Sequence, residues 1–137
     1  MKKIICILLP LFLVVITGCQ TSLNRMREYV SNDESYITLT GKVTEKHVNE
    51  NNCVFLSIQC DDSTQNSERS YWVFSSLDVN VNIDDTITYT TVPVSSGCFK
   101  HSDWLPIVAI QKNGKDILKF EDGKAQLIDW TNQLQYK

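Results

Sequence analysis

The chain is short of apolar length, of metal-ligand spacing and of positive charge. Its longest apolar run, Ile4 to Ile16, is 13 residues with Pro10 inside it. A helix needs about 20 apolar residues to cross the hydrocarbon core of a bilayer, so this run is too short to make a good span. The two histidines, His47 and His101, and the five cysteines show no C-x-x-C or H-x-x-x-H spacing. The local signal of a zinc site is therefore missing, and a metal centre is not expected. The acidic pairs Asp61-Asp62 and Asp84-Asp85 do not resemble an EF-hand loop and read as solvated turns. His101, Ser102 and Asp103 contain the residue types of a catalytic triad. Neighbours on one extended segment point to alternating sides, so they cannot form the ordered nucleophile–base–orienter chain. No catalytic residue and no cofactor is expected, and the chain reads as a non-enzyme.

What is present begins at the N-terminus. Lys2 and Lys3 precede the apolar run, and Ile16-Thr17-Gly18-Cys19 follows it. A short positive start, an apolar core and small residues before a cut are the parts of a secretory signal. With cysteine in this position, the stretch resembles the lipobox of bacterial lipoproteins. The resemblance implies that residues 1–18 are a lipoprotein signal peptide and that Cys19 is lipidated and becomes the N-terminus. The plainer alternatives are an ordinary secretory signal or an uncleaved anchor. Several acyl chains hold a protein where one barely does, since each buried methylene is worth about 0.8 kcal/mol. Gln20, not aspartate, follows the cysteine. In this family, that points to the outer membrane, facing the periplasm.

Losing the leader removes Lys2 and Lys3 and takes the formal charge from −3 to −5. An acidic chain repels phosphate backbones, so nucleic acid is not an expected partner. The remaining length suits one domain with one modest core. No internal repeat, coiled coil or second domain is apparent. Residues 19–35 read as a lipidated tether with a short apolar seam of Leu23, Met26 and Val30, enough for one or two helical turns. Fully extended, it reaches about 55 Å.

From residue 36 to 137 the pattern is that of a mostly β domain. Ile37, Leu39, Gly41 and Val43 alternate with polar residues, and Val54, Leu56, Ile58 and Cys60 share a face of the next run. "SYWVFSS" is aromatic and β-branched. "DTITYTTVPV" alternates and then changes phase near Thr90-Thr91, which suggests a bulge. "LPIVAIQ" leads into Asn113-Gly114, a tight hairpin signal. Leu127, Trp130 and Leu134 fit a helical stripe, although Asp122-Gly123 would also serve as a hairpin turn. A short C-terminal helix is the favoured reading.

This order of strands, with Gly41 in mid-strand where sharp curvature needs a residue without a side chain, resembles the OB-fold, in particular small OB-type domains of bacterial envelope proteins. The resemblance covers about residues 36–118 and implies a five-stranded barrel. Many such domains carry a short helix between strands three and four, and "SSLDVN" is barely long enough for one. Cys53 and Cys60 sit at opposite ends of one strand, roughly 23 Å apart, too far to bond. In such a barrel the ends of strands two and four share an end, so Cys60 and Cys98 are the expected disulfide and Cys53 the odd thiol.

Alternation puts Trp72 and Phe74 on one face of strand three and Tyr71 and Val73 on the other. With Trp72 and Phe74 in the core, Tyr71 joins Phe55 on the outer surface of strands two and three, and these two are the candidate binding residues. The plainer alternative is that the tether or terminal helix covers both faces. Trp104 and Trp130 read as core caps or cover. The expected function is a non-enzymatic binding or accessory module for a protein or other envelope component. The second reading is an inhibitor or exclusion factor that blocks an envelope enzyme or receptor, with the acidic loop 61–68 protruding.

Overall fold

The computed structural model describes residues 24–61, 68–92 and 104–134. The signal segment, Cys19, the H-S-D run and Cys98 lie outside the described residues. Six strands form one sheet: β1 (Ile37–Val48), β2 (Val54–Cys60), β3 (Glu68–Val73), β4 (Thr86–Thr91), β5 (Leu105–Lys112) and β6 (Lys115–Leu118). Hydrogen bonding runs β3-β2-β1-β4-β5-β6, and β3 pairs with β5 as well. That last pairing is parallel, joining Tyr71 to Val73 with Leu105 to Ile107. It closes the first five strands into the expected barrel, with β6 added at one end. Closure matters because it leaves little open strand edge for unwanted pairing.

The length of β1 explains the closure. Its first half pairs with β4 and its second half with β2, and Gly41 faces both Ile87 and Cys60. A Cβ on Gly41 would lie 2.6 Å from both the Gln59 carbonyl oxygen and Ile58 Cγ2. Only glycine permits the strand to bend this tightly against β2. The bulge expected near Thr90-Thr91 falls on the partner strand instead: β4 keeps its alternation, with Ile87, Tyr89 and Thr91 buried. Register shifts between Thr90 and Thr91, where Ala109 and Ile107 are their partners. Val108 is thereby extra in β5 and faces away from the barrel. Asn113 and Gly114, at φ 53° and 74°, turn β5 into β6, as the paired left-handed residues of a tight hairpin should.

Inside the barrel, Val43, Val54, Leu56, Ile58, Tyr71, Val73, Ile87, Tyr89, Ile107 and Ile110 form the core. The β3–β4 connection carries no helix. It runs through bends and a turn and plugs the barrel with buried Val79 and Val81. Its end is tied to β1 by two backbone hydrogen bonds of 2.8 Å, Val43 N–H to Asp85 and Asp84 N–H to Val43. Asp84 and Asp85 pair with Lys42 at 3.2 Å and Lys112 at 2.7 Å. These acids fasten a turn.

A second core lies outside the barrel. Helix α1 (24–31) and helix α2 (Phe120–Gln133) cover the outer side of β5, burying Met26, Val30, Phe74, Val92, Val108 and Leu127 together. The terminal segment is thus a helix, as favoured. Gly123 allows it to lie close, because a Cβ there would fall 2.0 Å from the Val108 carbonyl oxygen. Residues 24–35, expected within the tether, fold onto the domain. Arg27 donates to the Thr131 carbonyl at 3.3 Å, and Lys124 bonds Asp33. Among the described residues, no helix is long and apolar enough to cross a membrane.

Candidate functional site

One irregularity in β1 builds the site. Val43 pairs with Ile58 and Glu45 with Ser57, so Thr44 is an extra residue. Without this bulge, strict alternation from Ile37 through Val43 would aim Glu45 and His47 into the barrel. The bulge reverses the phase, as bulges commonly do near functional surfaces. Lys46 and Val48 now follow the inner side, opposite Leu56 and Val54, while Glu45 and His47 stand on the outer face. Thr44 fixes the bulge by donating to the Ser57 carbonyl at 3.2 Å and to Glu68.

The outer face of β1, β2 and β3 then consists of two rows. His47, Phe55 and Trp72 form one, since His47 pairs with Phe55 and Phe55 with Trp72. Glu45, Ser57 and Ser70 form the other. The Phe55 and Trp72 rings stack 6.0 Å apart at 19°. His47 lies 6.3 Å from Phe55, and Trp104 and Phe55 meet edge-to-face at 5.0 Å and 80°. Beneath α2 the row continues through Trp130, 5.4 Å from Trp72 and 5.6 Å from Phe74. Trp72 therefore has one side fixed by the helix and the other in contact with Phe55.

A shallow depression of about 280 Å³ opens beside Phe55. Glu45, Lys46, His47, Ser57, Ile83 and Trp104 line it with Phe55 and Leu56. Trp104 is 38% exposed and Ile83 54%, high values for large apolar side chains next to each other. Ser57 is buried and donates its hydroxyl to Glu45 at 3.3 Å. Lys46 turns to the barrel end, where it meets Asp78 and the Val79 carbonyl, each at 3.1 Å. The opposite outer face differs. Thr38 and Thr40 of β1 face Thr90 and Thr88 of β4, with hydroxyls 3.1 and 3.2 Å apart, and no aromatic ring stands in this ladder.

Of the two residues expected to form the patch, Phe55 is on this face and Tyr71 is not. Tyr71 is 1% exposed and points into the barrel, where its hydroxyl lies 3.0 Å from that of Tyr89. Burial raises the pKa of both phenols above the ordinary value. The reason for the reversal is register. Tyr71 faces Leu56, a core residue, and Trp72 faces Phe55. Covering Phe74 with α1 and α2 removes the need to bury it in the barrel. Trp104, read as a cap, instead forms an exposed edge of the site. Glu45 and His47 were missed; the signal for them was a carboxylate at a position that alternation would bury. Cys60 closes β2 with its thiol 3.6 Å from the Thr40 carbonyl, and its expected partner Cys98 lies outside the described residues. Cys53 stands at the other end of β2, where its amide donates to Asn49 Oδ1 at 2.9 Å.

The face offers rings, a carboxylate and a hydroxyl for recognition. No protein-family model matches the sequence, and a search of curated proteins finds no match.

Proposed function

We propose that this chain is a lipid-anchored, non-enzymatic binding module of the bacterial envelope, and that it engages its partner through the outer face of β1, β2 and β3. The observation that carries the reading is the aromatic row of His47, Phe55, Trp72 and Trp104 beside a partly polar row and a depression. Rigid aromatic side chains give large contact area at small entropy cost and dominate binding surfaces. The threonine ladder on the other side of β1 supplies the contrast, with small, mutually bonded hydroxyls.

Lipidation at Cys19 rests on the I-T-G-C sequence after the apolar run. With residue 24 already in helix α1, which packs on the domain, five residue steps separate Cys19 from that residue. They span at most about 17 Å. The module then works within a short distance of the bilayer, on the periplasmic side of the outer membrane in keeping with Gln20. Cys19→Ser should yield a soluble or unprocessed chain, and the wild-type chain should carry acyl mass and sediment with membranes. A mature wild-type chain that is soluble and free of acyl mass contradicts the anchor. For the face, crosslinking in envelopes should give discrete adducts that Trp104→Ala abolishes without releasing the chain from the membrane. Adducts unchanged by Trp104→Ala contradict the assigned surface.

A further inference from the structure

The depression beside Phe55 has a chemical preference. Its aromatic walls, Phe55 and Trp104, stand at 80° to one another. They form a corner, not the flat platform on which a sugar ring would stack. The volume of about 280 Å³ suits one inserted side chain and is at the small end for a pocket that holds a whole ligand. Glu45 lines the same corner, with one oxygen accepting from Ser57. Among the described residues no cation lies in ion-pair range of Glu45. Lys46, the nearest cation in sequence, is already committed to Asp78 and to the Val79 carbonyl. The corner thus combines aromatic rings, which attract cations, with a carboxylate that has no counter-charge among the described residues.

We propose that this corner receives a cationic side chain, an arginine guanidinium, from a basic segment of a partner protein. The guanidinium would lie against the Phe55 and Trp104 rings and donate to the Glu45 carboxylate, while Ile83 covers its aliphatic stem. Arginine fits better than lysine because a planar group can stack on a ring and still donate in its own plane. Charge complementarity extends beyond the corner. The chain carries 16 acidic against 13 basic residues, which favours the approach of a basic partner and disfavours an anionic one. This inference rests on the reading of the β1–β3 face as the binding surface and names what that surface recognises.

The test titrates the full mature chain, in detergent, with a tetra-arginine peptide amide, following the indole N–H signal of Trp104 by nuclear magnetic resonance. Tetra-citrulline, which keeps the shape and removes the charge, and a neutral N-acetylglucosamine oligomer serve as comparisons. Tetra-arginine should shift the Trp104 signal saturably. Glu45→Gln should weaken it about tenfold, the size of one charged contact, and tetra-citrulline should bind correspondingly less well. Glu45 is exposed and glutamine can still accept from Ser57, so the variant keeps the fold; Trp104→Leu, followed by intrinsic fluorescence of the remaining tryptophans, is the second variant and should also weaken binding. Equal binding of tetra-arginine and tetra-citrulline, or binding untouched by Glu45→Gln, overturns the inference. So does preference for the sugar oligomer. Envelope adducts that depend on Trp104 but not on Glu45 would leave the binding face standing and remove only its cation preference.

Discussion

Phe55 and Trp72 stand opposite each other on β2 and β3, their rings 6.0 Å apart and within 19° of parallel. On the same two strands Leu56 faces Tyr71, and both are buried. Two adjacent aromatic residues, Tyr71 and Trp72, therefore have opposite roles. Tyr71 fills the barrel, and Trp72 joins the outer face, pinned by Trp130 of α2. The helix at the end of the chain thus fixes part of the surface built in its middle.

This division predicts how substitutions separate stability from binding. Tyr71→Ala empties the barrel core and should cost about 3–5 kcal/mol, the usual loss for a buried aromatic. Trp104→Ala, at a partly exposed rim, should change stability by less than about 1 kcal/mol while weakening partner capture. Chemical denaturation of both variants checks the contrast. A mild Tyr71→Ala or a severe Trp104→Ala would contradict the assignment of faces.

The tyrosines predict behaviour at high pH. Burial, with the Asp33 carboxylate nearby, pushes the Tyr36 phenol from 10.0 up to about 12, and its hydroxyl donates to the Val30 carbonyl at 2.6 Å. Tyr71 and Tyr89 are also raised, chiefly by burial. Unfolded phenols lose their protons first as pH rises, so the unfolded state binds fewer protons than the folded one in this range. The stabilisation is intact below pH 10.0 and declines from there through about 12. Ultraviolet titration of phenolate, read beside circular dichroism, should show these three ionising late and together with unfolding. Ionisation of all tyrosines near pH 10.0 with the fold intact would refute it.

Gly123 gives a prediction opposite to helix propensity. In an isolated helix, Gly→Ala gains up to about 1 kcal/mol. Here the added Cβ would meet the Val108 carbonyl oxygen at 2.0 Å, so α2 must lift from β5. Gly123→Ala should lose about 1–3 kcal/mol, the range for overpacking, and loosen Leu127 and Val108. Thermal melting measures it. A more stable Gly123→Ala would mean that α2 does not sit this close.

Much of the barrel was legible because its signals are local. Gly41 and Asn113-Gly114 each mark a backbone need that few residues meet, whereas the bulge expected near Thr90-Thr91 sits on β5 at Val108. The terminal helix could be favoured from the Leu127 stripe, but its covering of Phe74 is a long-range contact that no local pattern reports. That hidden cover is why Tyr71 and Trp72 exchanged faces relative to expectation. The site was harder still. Thr44 has no side-chain mark of a bulge, and only the position of Glu45 in an inward phase hinted that the strand must shift. The absent helix between β3 and β4 was foreshadowed by the shortness of "SSLDVN", whereas the plugging of the barrel by Val79 and Val81 was not.

The most direct measurement places a photo-crosslinking amino acid at one position at a time in the full-length protein in living cells. Positions 104 and 47 report the aromatic face, and positions 88 and 90 report the threonine ladder across β1. If the β1–β3 face is the binding surface, illumination gives discrete adducts at 104 and 47 and none at 88 and 90. Adducts confined to the threonine ladder, equal adducts at all four, or none at 104 and 47 would contradict it.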